Sequence, residues 1–203
     1  MKIRTDNAEK ARGTREKLLE AGLRLFSEKG YLGSTTKDIA LRAGVAELTL
    51  FRHFSSKEAL FKEIINSYTF LPALKGLLPE LQEMAYEDAL ALIAKKFLNR
   101  LSERRELIRI MYSEMQLYPS KVKEIYHNFI DELTRTLASY FEHLQERGVL
   151  RGFDAEYGAK AFMGLFFSYF NTQELLLKKE ITGAERDKLI KQYVGIFARG
   201  TVK

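Results

Sequence analysis

The sequence predicts an all-α fold of about nine helices, and two observations support this prediction. Apolar residues recur at three- and four-residue spacing wherever they cluster, which is typical of helices that bury one face. No sustained alternation of apolar and polar residues indicates a β-strand. Because 46% of the 203 residues are hydrophobic, the chain is able to bury a substantial core, and a disordered protein is not expected.

The N-terminal helices are bounded by recognisable start and stop residues. A first helix is predicted over residues 14–29, and Gly30 ends it in a left-handed conformation. The pattern T-x-x-D at Thr35 and the pattern S-x-x-E at Ser55 resemble capping boxes, in which a hydroxyl accepts a hydrogen bond from a free N–H group of the first helical turn. Two further helices are therefore predicted to begin at Thr35 and Ser55.

Two prolines divide the chain. Pro72 and Pro79 are expected to interrupt helical structure, because proline lacks the N–H group that a helix interior needs. Residues 72–85 are therefore interpreted as a joint, and the chain is divided into a small N-terminal domain, 1–60, and a larger helical body, 61–203.

The body contains several more helices with clear boundaries. Pro119 precedes a long amphipathic helix that Gly148 ends. One helix begins after Asp154 and is apolar on nearly all sides. The last begins at the T-x-x-E pattern of Thr182.

Charge and composition restrict the classes of function. The formal charge is +6, and residues 1–60 hold four of these six charges, with twelve Lys and Arg against eight acidic residues. An anionic partner for residues 1–60 is therefore permitted but not required.

The sequence contains no signal for secretion or membrane insertion. The chain has no Cys, its first fifteen residues lack the apolar segment of a signal peptide, and the most apolar run, residues 161–170, is too short to span a bilayer. We expect a cytoplasmic protein without membrane association.

Residues 35–54 have the layout of a helix-turn-helix. The inward-facing residues are predicted to be Ile39, Ala40 and Ala43 from the first helix, and Leu50 and Phe54 from the second. Small Ala40 permits close packing, Gly44 supplies the turn, and Val45 fills the gap between the helices. The opposite face then presents Glu47, Leu48, Phe51 and Arg52, with Thr49 and His53 at its edges. Such a face is suited to the major groove of DNA.

The ordered motifs of residues 14–61 resemble the TetR family of bacterial transcriptional regulators. The matching residues are Leu25-Phe26, Gly30-Tyr31, Thr35, Thr36, Ile39-Ala40, Ala43-Gly44-Val45, Thr49-Leu50-Phe51, His53-Phe54 and Lys57-Glu58-Ala59-Leu60. So many matches in one order are far more specific than a single short motif. The resemblance implies a three-helix DNA-binding domain followed by a helical domain for ligand binding and dimerisation.

The resemblance also implies roles for individual residues. The predicted DNA-binding residues are Thr35, Thr36, Lys37, Ala46, Glu47, Leu48, Thr49, Phe51, Arg52, His53 and Lys57. Thr35, Lys37 and Lys57 are expected at phosphates, and Glu47, Leu48 and Thr49 at base edges. The segment of Lys2, Arg4, Lys10 and Arg12 is either a basic arm that adds salt-dependent affinity or a solvated tail.

Three residues make the reading surface unusual within this family. Ala46 stands where a hydroxyl residue usually caps the recognition helix, and Phe51 lacks the hydroxyl of the usual Tyr. Glu47 is able to accept a hydrogen bond from cytosine, to repel mismatched DNA, or only to complement the helix N-terminus. We hypothesise that it sets specificity at one base pair.

The helical body is expected to bind a small apolar or aromatic effector and to form a homodimer on a palindromic operator. The candidate ligand-binding residues are Met111, Tyr112, Met115, Tyr126, Phe129, Phe162, Phe166 and Tyr169. The candidate dimer-interface residues are Phe162, Leu165, Phe166, Phe170, Leu189, Tyr193 and Phe197. Residues 158–177 are so apolar that burial on every side is expected, either in a dimer or as a central core helix. The ligand candidates equally fit an ordinary helical core.

The function expected from the resemblance is that of a ligand-responsive regulator, most often a repressor. An enzyme is not expected, since His53, His127 and His143 are the only histidines and no nucleophile elbow, phosphate-binding glycine loop or metal-binding pair is present. No metal or other cofactor is expected, and His127 with Asp131 is interpreted as a surface pair. The alternative is a helical adaptor, or a degenerate regulator without sequence-specific DNA binding.

Overall fold

The computed structural model describes the backbone of residues 2–203 and the side chains of residues 13–203. The α-helices are α1 (Lys2–Lys29), α2 (Thr36–Ala43), α3 (Glu47–His53), α4 (Lys57–Tyr68), α5 (Leu71–Leu81), α6 (Tyr86–Glu103), α7 (Arg105–Glu114), α8 (Ser120–Glu146), α9 (Ala155–Phe170) and α10 (Gly183–Thr201). A 3₁₀ turn, Met115–Leu117, follows α7, and a π-helical segment, Asn171–Leu176, continues α9. Within the described residues no strand forms, so the all-α prediction is confirmed.

Several predicted helix boundaries are confirmed. Gly30, Gly44 and Gly148 adopt φ values of 76°, 71° and 72°, the left-handed conformation that ends or turns a helix. The Asp154 side chain accepts a hydrogen bond from the backbone N–H of Tyr157 at 2.9 Å. Thr182 and Glu185 form a reciprocal capping box at the start of α10. The side chains of the predicted basic arm, residues 2–12, lie outside the described residues.

Two predicted boundaries are wrong. Residues 72–85 are not a non-helical joint, since α5 covers most of them. Pro72 occupies the first turn of α5, where no intrahelical N–H bond is required, and Pro79 lies only two residues before the helix ends. The cap of α4 is Ser56 rather than Ser55, because Ser56 Oγ accepts the hydrogen bond from the N–H of Ala59 at 3.2 Å.

The chain packs as two compact units. The first unit comprises Met1–Tyr68 and Glu106–Tyr126, and the second comprises Thr69–Arg105 and His127–Lys203. This packing places α7 in the first unit, although it follows two helices that lie in the second. The functional boundary at residue 60 stays a prediction.

The core of the first unit lies between α1, α2, α3 and α4. Its fully buried side chains include Leu18, Phe26, Ile39, Leu50, Leu60, Phe61, Ile64 and Ile65. Phe26 and Phe61 meet edge to face, with ring centroids 5.5 Å apart. This core supports the two short helices of the helix-turn-helix, which are too short to be stable alone.

The second unit is built around phenylalanine side chains of α8, α9 and α10. The Phe162 ring lies 5.1 Å from both Phe166 and Phe197 and 6.5 Å from Phe141, measured between centroids. Phe141, Phe162, Phe166 and Phe170 have no exposed surface. Aromatic packing therefore forms the centre of this unit.

Candidate nucleic-acid interface

The helix-turn-helix at residues 35–54 is built as predicted from a small buried core. Ile39 and Leu50 are fully buried, and Ala40 and Phe54 are nearly so. The left-handed Gly44 donates its N–H to Leu41 O at 3.1 Å, and Val45 donates to Ala40 O at 3.0 Å. These bonds satisfy the last carbonyl groups of α2 and turn the chain toward α3.

The two helices of the motif are capped differently. Thr35 Oγ1 accepts a hydrogen bond from the N–H of Asp38 at 3.0 Å, so α2 has a side-chain cap. Ala46 occupies the corresponding position of α3 and has no side chain that is able to accept one. Glu47, the first residue of α3, places a carboxylate in the turn where the helix dipole favours negative charge.

The outer face of α3 is exposed and partly apolar. Leu48 retains 65% of its surface and Phe51 44%, and Arg52 is also exposed. Thr49 and His53 are half-buried at the edges of this face. The face therefore combines one cation with two apolar side chains, a combination that suits contacts with phosphates, base edges and thymine methyl groups.

The Glu47 carboxylate is bound within the motif. Thr36 Oγ1 donates a hydrogen bond to Glu47 Oε1 at 2.6 Å, which links the first residue of α2 to the first residue of α3. A carboxylate has about four lone-pair sites, so Glu47 keeps acceptor capacity beyond this bond. The bond fixes the direction of the side chain, which the sequence did not predict.

Lys57 has a structural role that sequence reasoning missed. Its Nζ donates hydrogen bonds to the carbonyl oxygens of Tyr31 at 2.7 Å and Ser34 at 2.8 Å, and it lies 4.1 Å from the centroid of the Tyr31 ring. Burial lowers the pKa of Lys57. Two of its three donors are thus used inside the protein, and its predicted phosphate contact stays a prediction for the remaining donor.

The contact between Glu114 and the loop at Tyr31 was also not predicted from the sequence. Glu114 Oε2, at the end of α7, accepts hydrogen bonds from the backbone N–H groups of Tyr31 at 2.9 Å and Leu32 at 3.4 Å. Burial, followed by the neighbouring Glu58 carboxylate, raises the pKa of Tyr31 well above its usual range. No local pattern reveals these contacts, since Glu114 and Tyr31 are 83 residues apart in the chain.

The predicted ligand-binding residues are divided between the two units. Met111, Tyr112, Met115 and Tyr126 belong to the first unit, and Phe129, Phe162, Phe166 and Tyr169 to the second. Met111 is buried, whereas Tyr112 is 45% exposed. Phe162 and Phe166 fill the aromatic core of the second unit, so their observed role is packing.

The predicted dimer interface requires a correction. Phe162, Phe166 and Phe170 are fully buried within their own chain and Phe197 is nearly so, so they have little or no surface to offer a second copy. One face of α9 is exposed in the single chain, so burial of residues 158–177 on every side requires a second copy and stays a prediction. Leu165, Leu189 and Tyr193 are half-buried and stay predicted interface residues.

Comparison with known proteins identifies both parts of the chain. The family described as "Bacterial regulatory proteins, tetR family" matches residues 18–64, and "AefR-like transcriptional repressor, C-terminal domain" matches residues 88–200. The HTH-type transcriptional regulator YvkB of Bacillus subtilis (strain 168) is 28% identical over 191 residues, covering 93% of this chain and 97% of YvkB.

Solved structures share the fold. A TetR-family regulator from Mesorhizobium loti superposes with a TM-score of 0.80 at 22% identity, covering 95% of this chain and 98% of that chain. AibR, solved with isovaleryl coenzyme A and operator DNA, superposes with a TM-score of 0.61 at 20% identity, covering 90% of this chain and 97% of that chain. In the part of the chain that the structure describes, none of the helices combines the length and the apolar composition that a membrane span requires.

The matched families and relatives are transcriptional regulators and not enzymes. Their two profiles together cover the helix-turn-helix and most of the remaining helices. The chain therefore belongs to the TetR family of helix-turn-helix transcriptional regulators.

Proposed function

We propose that this protein is a ligand-responsive repressor that binds a palindromic operator as a homodimer and is released by a small apolar or aromatic effector. The observation that carries the proposal is the exposed face of α3 on a fully buried helix-turn-helix core. Leu48 and Phe51 are large apolar residues that are exposed to solvent in the protein alone. On DNA, base edges and thymine methyl groups would cover them. Arg52 adds a cation for the phosphates.

Operator binding is tested by selecting a duplex from a random library and measuring fluorescence anisotropy against a scrambled duplex. Leu48→Ala and Arg52→Ala are each expected to weaken operator binding by about tenfold or more. Leu41→Ala is the matched control, since Leu41 is 78% exposed on the neighbouring helix α2 and lies outside the proposed reading face. No salt-dependent preference for any selected duplex would favour the adaptor function instead.

The specificity role of Glu47 follows from the same surface. Its carboxylate is held by Thr36 and keeps free lone pairs that are able to accept a hydrogen bond from cytosine N4. Selection with Glu47→Ala is expected to relax the preference at one operator position, whereas Thr36→Val is expected to retain that position with lower affinity. An unchanged preference profile for Glu47→Ala contradicts the specificity role.

Dimer formation is supported by one partly exposed face on each of the last two helices. On α9 this face comprises Tyr157, Ala161, Gly164, Leu165 and Ser168, and on α10 it comprises Leu189, Tyr193 and Ile196. Ile196 is 57% exposed, and its spacing from Leu189 and Tyr193 places the three residues on one face of α10, so a second copy would cover an apolar patch. Ile196→Glu is expected to convert a dimer to a monomer in size-exclusion chromatography with light scattering, and a monomeric wild-type protein would contradict the dimer.

The effector proposal rests on apolar and aromatic candidates, among which Met111 is buried and Tyr126 is half-buried in the first unit. AibR, which shares this fold, was solved with isovaleryl coenzyme A, a compound whose acyl group is apolar. Native mass spectrometry of the purified protein tests for a bound small molecule. A compound found in this way is expected to release the selected operator in the anisotropy measurement, and a compound that leaves operator affinity unchanged is not the effector.

A further inference from the structure

The loop over residues 30–34 decides where the helix-turn-helix begins. Gly30 ends α1 in a left-handed conformation, and Thr35 immediately after the loop caps α2. The hydroxyl of Ser34 donates to the carbonyl oxygen of Gly30 at 2.6 Å and is buried. Because the loop is only five residues long, its path fixes the position of the N-terminus of α2, where Thr35 and Lys37 are proposed to meet phosphates.

Two oppositely charged side chains hold this loop by its main chain. Glu114 accepts the N–H groups of Tyr31 and Leu32, and Lys57 donates to the carbonyl oxygens of Tyr31 and Ser34. Both sets of bonds involve an ionised group, which makes them stronger than neutral hydrogen bonds. The carboxylate also lies directly against Gly30, where an added Cβ would overlap it.

The side chain of Tyr31 anchors the same loop. It is 3% exposed, and its ring centroid lies 5.7 Å from Phe26, 5.1 Å from Phe61 and 5.8 Å from Tyr118. Tyr118 follows Glu114 by four residues, so the same segment of the chain contacts both the backbone and the ring of Tyr31. The support of the loop therefore includes a segment that lies outside the matched DNA-binding profile over residues 18–64.

We propose that Glu114 is a positioning residue for operator binding. Its carboxylate holds loop 30–34, and through the loop the first turn of α2, in the arrangement that contacts DNA. Groups that bind a ligand must be held to within about half an ångström of the productive geometry, and supporting hydrogen bonds provide that precision. This inference rests on the proposed function, because its effect is read as operator affinity.

The test compares Glu114→Ala, Glu114→Gln and the control Glu106→Ala. Glu106 lies on the same helix α7, is exposed, and pairs with Arg109 one turn away. Anisotropy with the selected operator and the scrambled duplex is measured at a temperature where circular dichroism finds every variant folded. Glu114→Ala is expected to bind the operator about tenfold more weakly and the scrambled duplex by less than about threefold, because phosphate contacts act on any duplex but also fix the register of the base contacts on the operator. Glu114→Gln keeps an acceptor oxygen and is expected to lose about threefold, and Glu106→Ala is expected to match wild type.

Hydrogen exchange separates positioning from general stability. The amide protons of Tyr31 and Leu32 are expected to exchange faster in both Glu114 variants, while core amides such as that of Leu50 keep their protection. If Glu114→Ala does not fold, Glu114→Gln alone decides the question by its operator affinity and by these two amides.

Three results overturn the inference: operator affinity within twofold of wild type in a folded Glu114 variant, an equal loss on both duplexes, or unchanged exchange of both amides. Failure of the proposed function gives a different result, since the wild-type protein itself would then not distinguish the operator from the scrambled duplex.

Discussion

Each unit contains a cluster of partly buried charged side chains, and the two clusters bind different kinds of partner. In the first unit, Glu114 and Lys57 bind the main chain of loop 30–34. In the second unit, Arg186 and Glu174 bind each other at 3.1 Å, and Arg186 Nη1 also donates to Asn99 Oδ1 at 2.9 Å. The first cluster therefore fixes the path of a loop, whereas the second joins side chains of packed helices.

The difference indicates what each cluster contributes. When charged groups bind a loop, they fix the position of the residues that follow the loop. The loss of Glu114 or Lys57 is therefore expected to change DNA binding more than stability. Oppositely charged groups that bind each other inside packed helices compensate each other's charge, and the loss of one leaves the other buried without a counter-charge. Of the following experiments, which are given in order of decreasing expected effect, the Arg186 variants test this contrast directly.

The largest effect is expected from Phe162→Ala in the aromatic core of the second unit. Phe162 has no exposed surface and contacts Phe141, Phe166 and Phe197. Removing the ring leaves a cavity, which lowers the free energy of unfolding by about 4 kcal/mol. Urea denaturation at a fixed protein concentration measures this loss, and Leu176→Ala, 74% exposed, is the control with a change within about 0.5 kcal/mol.

The next effect is expected from Arg186→Met. Glu174 is only 4% exposed and would lose its cation, which lowers the free energy of unfolding by about 3 kcal/mol. The double variant with Glu174→Leu is expected to recover to within about 1 kcal/mol of wild type. Lys95→Met is the matched control, because Lys95 and Asp187 form an exposed pair at 3.7 Å. Equal losses for Arg186→Met and Lys95→Met would remove the distinction between the buried pair and a surface pair.

A smaller effect is expected at the start of α4. Ser56→Ala removes the side chain that accepts the N–H of Ala59 and is expected to cost about 1 kcal/mol of unfolding free energy. Ser55→Ala is the control and is expected to change stability by less than about 0.5 kcal/mol. A larger loss at Ser55 than at Ser56, measured by urea denaturation, would reverse the assignment of the cap.

The smallest effect on stability is expected when the hydroxyl group of Tyr86 or Tyr140, both in the second unit, is removed. The hydroxyls of Tyr86 and Thr201 share a hydrogen bond at 3.0 Å, so Tyr86→Phe is expected to cost about 0.5 kcal/mol. The Tyr140 hydroxyl is buried without a hydrogen-bond partner among the described residues, so Tyr140→Phe is expected to leave stability unchanged or slightly raised. Thermal unfolding of both variants distinguishes them, and equal losses would contradict the assignment.

The same tyrosines give a pH dependence of stability. Burial raises the pKa of both Tyr86 and Tyr140 to about 12 from the ordinary value of 10.0. Between these values the unfolded chain releases protons that the folded protein keeps, so the stability present below pH 10 falls as the pH rises toward 12. Urea denaturation at pH 8 and pH 11 measures the fall, which is expected to be smaller in Tyr86→Phe than in wild type.

Local features were predictable from the sequence because the groups involved are close in the chain. The Thr35 cap, the Gly44 turn and the Thr182 capping box each involve partners within a few residues, and the structure confirms them. The cap at Ser56 was missed by one position, since two adjacent serines fit the same pattern. Pro72 and Pro79 were misjudged because the cost of proline depends on its position within a helix.

The sequence by itself determined the helical class, the helix-turn-helix and its exposed face, because periodicity, capping and turn residues act over one or two helical turns. Only the tertiary structure decided that Glu114 binds the loop before α2, that Lys57 turns inward, and that Phe162, Phe166 and Phe170 are buried within one chain. The physical reason is the same in each case: the partners are far apart in the chain, and the path of the folded backbone selects them from many chemically equivalent candidates.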